Sequence, residues 1–367
     1  MHRRIKLVIS DFHIGRGSAR GQINQWENFR QDRTFSDFLD NYSTGSYGDL
    51  CRVELIINGD FLDLLQVDLY GKFYDMVTEG IAVRKVRLCL EGHPMVTEAL
   101  KRFLVRPGKS IVYLPGNHDM DMVFPRAQQL FCKMLTGHPN HPDVRFIADV
   151  SDYSFDGIRI EHGQQHEAIH AFDFSQLFLT KRLKRPILNL PWGNLFVHNV
   201  INRLKAQRPY LDKVKPFNVL ILWSLIFDPI FAIKAAWVGA WFFLRTRFIK
   251  SYVRSSRIWQ TFRILQEELQ AFPDFERVAQ RVLQDYEGIH TVIMGHTHNL
   301  KIRTFPDGKQ YINTGTWVDT IDLHITEIGR ENKRCFVYIA YPEEGGPPAI
   351  QLLEWLGRRD VVREVTF

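Results

Sequence analysis

The chain has 367 residues, 45% hydrophobic and 24% charged, a balance that excludes a disordered tail, a collagen-like repeat and a disulfide-dense mini-protein. Its net charge of +6 is unevenly placed: Lys181 to Arg257 holds 15 Lys or Arg against Asp212 and Asp228, a surplus of 13 that leaves −7 for the remainder. Four cysteines, at 51, 89, 132 and 335, show no paired spacing, so a reducing compartment is expected rather than a disulfide framework or zinc knuckle.

From the N-terminus, a basic start leads into an apolar run too short for a signal peptide, and a cytoplasmic protein is expected. Ile5–Ser10, Val53–Asn58 and Ser110–Leu114 read as fully buried strands of a layered α/β sheet, each running into Gly, Asp or Asn. Thr34–Tyr42, Val77–Leu90 and Pro94–Val105 read as the helices between them. Further strands are expected at Val144–Ala148, Tyr153–Glu161 and His290–Met294. Lys301–Phe305 and Lys309–Asn313 flank Pro306-Asp307-Gly308, a hairpin signal. Asp322–Glu327 and Arg334–Tyr341 complete the strands.

Between Gly163 and His290 the chain reads helical, at Ala168–Leu183, Leu195–Lys205, Ile258–Phe272 and Phe275–Tyr286. The expected organisation is therefore a core of residues 1–163 and 287–367, interrupted by a basic insert of residues 164–286 over the active site. The insert carries Trp192, Trp223, Trp237, Trp241 and Trp259, five of the eight tryptophans. Basic residues interleaved with aromatics fit an anionic bilayer surface or a nucleic acid; a solvated helical face is the plain alternative. Its most apolar piece, Phe217–Leu244, exceeds the roughly 20 residues that span a bilayer, but Asp228-Pro229 and Lys234 interrupt it. Two shorter helices broken at Pro229 and lying in the membrane interface are expected, with a buried cap or a true span as alternatives. Trp223, Trp237 and Trp241 are the expected lipid contacts.

Five motifs at predicted strand ends supply hard metal ligands: Asp11-Phe12-His13, Gly59-Asp60-Phe61-Leu62-Asp63, Gly116-Asn117-His118-Asp119, His162-Gly163 and Gly295-His296-Thr297-His298. Carboxylate, imidazole and amide ligands without thiolate suit Mn, Fe or Zn better than copper or an iron–sulfur cluster. In Asp-x-His and His-x-His, alternate residues of an extended segment point the same way, and the glycines let the backbone turn.

In this order the motifs resemble those of the calcineurin-like binuclear metallophosphoesterases, over Ile5 to about Trp317 apart from the insert. The resemblance implies an α/β fold, a four-layer αββα sandwich with a helical insert, and two divalent ions, Mn2+ first with Fe or Zn compatible. It implies that Asp11, His13 and His298 hold one ion, that Asn117, His162 and His296 hold the other, and that Asp60 bridges them. Two ions about 3.5–4 Å apart can lower the pKa of a shared water enough to supply hydroxide near neutral pH. His118 would stand beside the leaving-group oxygen as a proton donor, oriented by Asp63, while Asp119 reads as structural. Arg16, His166 and His170 are candidate phosphate contacts, with a plain loop and an exposed helix face as their alternatives.

A basic, Trp-rich cap over such a centre points to a phosphoester or pyrophosphate carrying acyl chains. It resembles the helical lid of UDP-2,3-diacylglucosamine pyrophosphohydrolases, although many of those enzymes have Arg in place of His118 and Asp in place of Gln164. A lipid-linked substrate and an anionic membrane surface on the cytosolic side are the expected partners. A nuclease, or a phosphatase whose cap binds a partner protein, is the rival reading.

Overall fold

The structure, a computed structural model, describes residues 3–18, 23–49, 51–215, 223–248, 274–322, 329–331, 333–342, 346–358 and 361–365. The first half alternates strands and helices: β1 (Arg3–Ile9), α1 (Asp32–Asn41), β2 (Cys51–Asn58), α2 (Glu79–Gly92), α3 (Pro94–Val105), β3 (Lys109–Leu114), α4 (Pro125–Thr136) and β4 (Val144–Phe146). A hairpin of β5 (Asp152–Phe155) and β6 (Ile158–Glu161) follows, then a two-stranded ribbon of β7 (Phe178–Leu179) and β8 (Ile187–Leu188). Helical chain over Trp192–Lys205, with a π-helical turn at Val197–Ile201, leads to β9 (Val214–Lys215) and the helices Pro229–Phe248 and Phe275–Asp285. The remaining strands are β10 (Thr291–Met294), β11 (Lys301–Thr304), β12 (Gln310–Asn313), β13 (Thr320–Asp322), β14 (Gly329–Glu331), β15 (Cys335–Tyr341), β16 (Ala349–Gly357) and β17 (Val361–Glu364).

Two sheets result. One runs β17-β16-β15-β1-β2-β3-β4, with β1 to β4 parallel; the other runs β11-β12-β10-β6-β5, with β12, β10 and β6 parallel. Period-two alternation on β1 sends Ile5, Leu7 and Ile9 to the helices α1–α4, while Val8 turns to the second sheet. Val8, Ile56, Val112 and Val337 meet Ile158, Ile160, Ile293 and Ile312 in a dry layer between the sheets. On the far face of the second sheet, Val278, Ala279, Val282 and Leu283 pack against Val292, Met294 and Tyr311. The order is thus helices, sheet, sheet, helix: a four-layer αββα sandwich.

The helix Phe275–Asp285, placed in the insert by the sequence reading, therefore forms the fourth layer. Tyr153–Glu161, read as one strand, is a hairpin, because Asp156 (φ 48°) and Gly157 (φ 75°) take the left-handed pair of a tight turn. Ala168–Leu183 is not a helix. Phe172 is buried in the main core, and Phe174, Leu177 and Phe178 pack against it, spaced for an irregular strap rather than one helical face. The reading of no strands there is corrected by β7, β8 and β9. The expected helix Ile258–Phe272 and residues 323–328 of the expected strand Asp322–Glu327 lie outside the described residues.

The stretch Trp192–Lys205 is pinned to the sandwich by buried polar side chains. Asn194 Nδ2 donates to the Asn117 carbonyl (2.8 Å) and Asn202 Nδ2 to that of Leu65 (2.9 Å). Buried Lys205 donates to Asn28 Oδ1 (2.8 Å), Gln66 Oε1 (2.5 Å) and Asp212 Oδ2 (2.6 Å). Burial opposes the Asp212 charge, but Lys205 outweighs it and holds that carboxyl at about 2. The helix Pro229–Phe248 follows the expected break: residues 223–227 are helical, Asp228 interrupts, and Arg208 pairs with it at 2.6 Å. Phe231 and Phe242 are buried against Leu195, Val200 and Leu204, with Ala235 and Val238 packed beside them. The opposite stripe, Ile230, Ile233, Trp237, Trp241 and Leu244, is exposed. Among the described residues no helix is long and apolar enough to cross a membrane.

Candidate metal centre

The five motifs leave the C-terminal ends of β1, β2, β3, β6 and β10, and the strand order sets these ends side by side. Backbone bonds lock the loops together: Asp11 N–H donates to the Gly59 carbonyl (3.2 Å), His13 N–H to Asp60 (2.9 Å) and Gly295 N–H to His162 (3.0 Å). Asp119 is the buried clamp. Its carboxylate accepts from the backbone N–H of Asp60, Phe61, Leu62 and Gly116 and from the Tyr113 hydroxyl, at 2.6–3.3 Å. Beneath them Phe12 is fully buried between Phe35, Phe61 and Trp317, stacked on the indole at 4.6 Å.

Glycine is required at two of these turns by close approach. A Cβ on Gly59 (φ 78°) would lie 2.3 Å from the His162 ring, and one on Gly116 would lie 2.3 Å from Asp60 Oδ1 and 2.7 Å from His162 Nε2.

Among the described residues four groups could hold an ion: His13 with Asp60 and His118, Glu167 with His170 and His296, and the two expected ones. Asp11, His13 and His298 form one: His13 Nε2 lies 2.9 Å from His298 Nε2, which lies 3.3 Å from Asp11 Oδ1. Asp60, His162 and His296 form the other, with His162 Nε2 3.2 Å from Asp60 Oδ2. Asp60 also lies 3.8 Å from His13 Nε2, so its carboxylate stands between the groups. His162 donates its Nδ1–H to the Asn58 carbonyl (2.8 Å), which leaves Nε2 to face Asp60.

Donor chemistry fits divalent ions. Asn117 Oδ1 is buried without a hydrogen-bond partner, an unfavourable state that a cation would relieve. Electrostatics agree. Burial opposes an imidazolium at His162, yet Asp60 and Asp11 outweigh it and hold its pKa at about 10. Burial likewise works against the Asp60 charge, but His162 and His118 pull its carboxyl well below the usual range. His13 is driven the other way, by burial and then by the neighbouring His118 and His298. A positive charge among these carboxylates is thus favoured, and an ion would displace the proton on His162.

His118 stands at the rim, its side chain 18% exposed, and donates Nδ1–H to buried Asp63 Oδ1 at 2.9 Å. Burial opposes its charge, but Asp63 and Asp60 hold it up at about 9. Its ring meets that of His13 edge-on at 4.5 Å.

The structure treats the other candidates differently. Arg16 pairs with Asp68 at 2.6 Å. The loop before it is fixed by buried Glu27, which accepts from the Gly15 and Gly17 N–H groups. His166 Nε2 is engaged by buried Glu161 at 2.5 Å. His170 donates Nδ1–H to Glu167 Oε2 at 2.5 Å, 5.4 Å from the His296 ring. Glu167, which sequence reasoning passed over, also accepts from His296 Nε2 at 2.6 Å. Its only signal was a carboxylate five residues beyond His162, flanked by histidines one residue before and three after. Trp223, Trp237 and Trp241 belong to none of the ligand groups and are 44%, 67% and 47% exposed.

No protein-family model and no curated protein matches the chain. Solved structures similar to it include a wild-type Vps29 complexed with Zn2+ from Entamoeba histolytica, at 11% identity over 98% of this chain and 97% of that one, with a TM-score of 0.28. A dimetal phosphatase from Danio rerio is 10% identical over 99% and 98% of the two chains, with a TM-score of 0.37. A putative 5'-nucleotidase from Staphylococcus aureus is 12% identical over 98% of this chain and 55% of that one, with a TM-score of 0.34.

Proposed function

We propose that this chain is a phosphohydrolase using two divalent ions, Mn2+ first with Fe or Zn compatible, to cleave a phosphoester or pyrophosphate bond of a lipid-linked substrate at an anionic membrane surface on the cytosolic side. The carrying observation is the convergence of Asp11, His13, Asp60, His162, His296 and His298 into two adjacent groups, Asp60 of one lying 3.8 Å from His13 of the other, with His118 at their rim. The motif order, resembling that of calcineurin-like metallophosphoesterases, supports the same chemistry. Asp11, His13 and His298 would hold one ion, Asn117, His162 and His296 the other, and Asp60 both. When bound, the ions supply positive charge that activates water and offsets charge at phosphorus. Asp63 keeps the His118 imidazolium in place, so that His118 can pass a proton to the departing oxygen.

The lipid reading rests on the insert. Its exposed stripe, Ile230, Ile233, Trp237, Trp241 and Leu244, runs along a helix whose opposite face is already buried, within a segment carrying a surplus of 13 positive charges. An interfacial helix has that composition. The substrate class that follows is a charged head with acyl chains, UDP-2,3-diacylglucosamine among the candidates.

The test is hydrolysis of an acylated phosphoester or pyrophosphate against its deacylated counterpart. Acyl contacts contribute up to about 0.8 kcal/mol per buried methylene, so several would raise kcat/KM by orders of magnitude. Single-stranded DNA or a soluble nucleotide cleaved faster, with no gain from acyl chains, would favour the nuclease or soluble-phosphatase reading that the basic surplus also permits. Asp60→Ala should abolish turnover of every substrate, and unchanged turnover after chelation would end the two-ion reading.

A further inference from the structure

Glu167 lies on the strap after β6, buried, with one carboxylate oxygen shared between two imidazoles: His296 Nε2 at 2.6 Å and His170 Nδ1 at 2.5 Å. The strap is itself held. Gly193 N–H donates to the Ile169 carbonyl (2.9 Å), and a Cβ on Gly193 would press within 2.6 Å of the His170 ring. The neighbouring Asn194 reaches the Asn117 carbonyl. The start of the insert helix thus braces two of the residues assigned to the second ion, Asn117 at its backbone carbonyl and His296 through His170 and Glu167.

We infer that Glu167 is a positioning residue for the second ion, acting through His296; the inference rests on the two-ion reading above. An imidazole that ligates a metal through one ring nitrogen needs the other fixed as an N–H donor, and a carboxylate partner sets both tautomer and ring angle. With His296 Nε2 committed to Glu167, Nδ1 is the nitrogen left for the ion. His170, on the same oxygen, keeps the carboxylate aimed. Partners of this kind typically change metal affinity by 10–100-fold when removed.

The test is stepwise titration of metal-free full-length protein with MnCl2 by calorimetry, and with CoCl2 by visible absorption. Glu167→Ala should weaken one of the two binding events by about 10–100-fold and leave the other unchanged. Glu167→Gln, whose amide oxygen still accepts from His296, should recover part of the loss. The cobalt bands of the second ion should shift in both variants, and those of the first should not. His170→Phe should give a smaller loss in the same event. Equal weakening of both events would mark a general structural defect and overturn the proposal, as would wild-type affinities in Glu167→Ala. Should that variant fail to fold, the near-isosteric Glu167→Gln decides by the same spectra. Wild-type protein taking up only one ion would remove the two-ion reading and this inference together, an outcome distinct from a wild-type pair that Glu167→Ala leaves intact.

Discussion

A left-handed backbone costs a residue with a side chain about 1–2 kcal/mol, yet Asp11, His13, Asp60, His296 and His298 all adopt it. The turns send the chain back over the strand ends, and interlocked loop bonds with the five donors on Asp119 offset the strain. Space is consumed with it, so Gly116→Ala would push a Cβ against Asp60 Oδ1 and His162 Nε2. We expect that variant to fold but to bind both ions more weakly, as calorimetry with MnCl2 would show. His118→Ala should keep both ions and slow turnover by about 10²–10⁴-fold, the range of a general acid. A leaving group of low pKa should recover most of that loss. Burial opposes the acid form of His118 and Asp63 favours it, and it is lost as pH rises through the pKa of the ring. kcat/KM for an alkoxide-releasing substrate should therefore fall on an alkaline limb in the wild type, and this limb should be missing in His118→Ala. Asp11, His13, Asp60, His162, His296 and His298 were legible in the sequence because each ends an apolar strand. Glu167 was not, since its role arises from a strap that returns past a strand 129 positions later in the chain.

Strands β1 to β3 and helices α2 and α3 were readable because each is long, apolar on the buried side and bounded by Gly, Pro or Asp. The helix α4 and the strands β16 and β17 were not foreseen. β16 and β17 owe their form to partners, pairing antiparallel with their sequence neighbours, β15 with β16 and β16 with β17, at the sheet edge. Elements also depend on the bonds at their joints. His93 sits between α2 and α3, buried, with Nδ1 2.8 Å from Asp32 and Nε2 3.2 Å from Glu27, the carboxylate that fixes the loop after the first motif. Burial lowers its pKa, but Asp32 and Glu27 outweigh that and raise it from 6.5 to about 9. Raised in the folded state, the group contributes its full stabilisation below pH 6.5 and loses it as pH rises through about 9. The shift corresponds to roughly 3 kcal/mol as an upper figure. Urea unfolding between pH 6 and 9.5 should show stability declining across that window. His93→Gln should be less stable at pH 6 and decline less. An equal decline in both proteins would place the titrating group elsewhere.

Charge is segregated along the sequence, and the membrane and nucleic-acid readings make different predictions from it. The segment Lys181–Arg257 carries a surplus of 13 positive charges against −7 elsewhere, which would orient the protein toward an anionic surface if it meets one. A nucleic acid would need that charge along a polar groove, whereas here it flanks Ile230, Ile233, Trp237, Trp241 and Leu244 on an exposed helix face. Attraction and insertion would act together on a bilayer. Salt screens only the first, with a Debye length of about 8 Å at physiological ionic strength falling to about 3 Å at 1 M. Sedimentation with vesicles containing phosphatidylglycerol should therefore weaken between 0.1 and 1 M NaCl without vanishing. Trp237→Ser with Trp241→Ser should release more protein at every salt concentration than Lys213→Ser with Lys234→Ser, because the tryptophans carry the part that salt leaves intact. Hydrolysis of a small chromogenic diester should be unaffected by either pair, since those side chains lie outside the cluster at the strand ends. Binding that disappears at 1 M NaCl, with the lysine pair the more damaging, would instead assign the stripe to a cap and leave charge alone as the attraction.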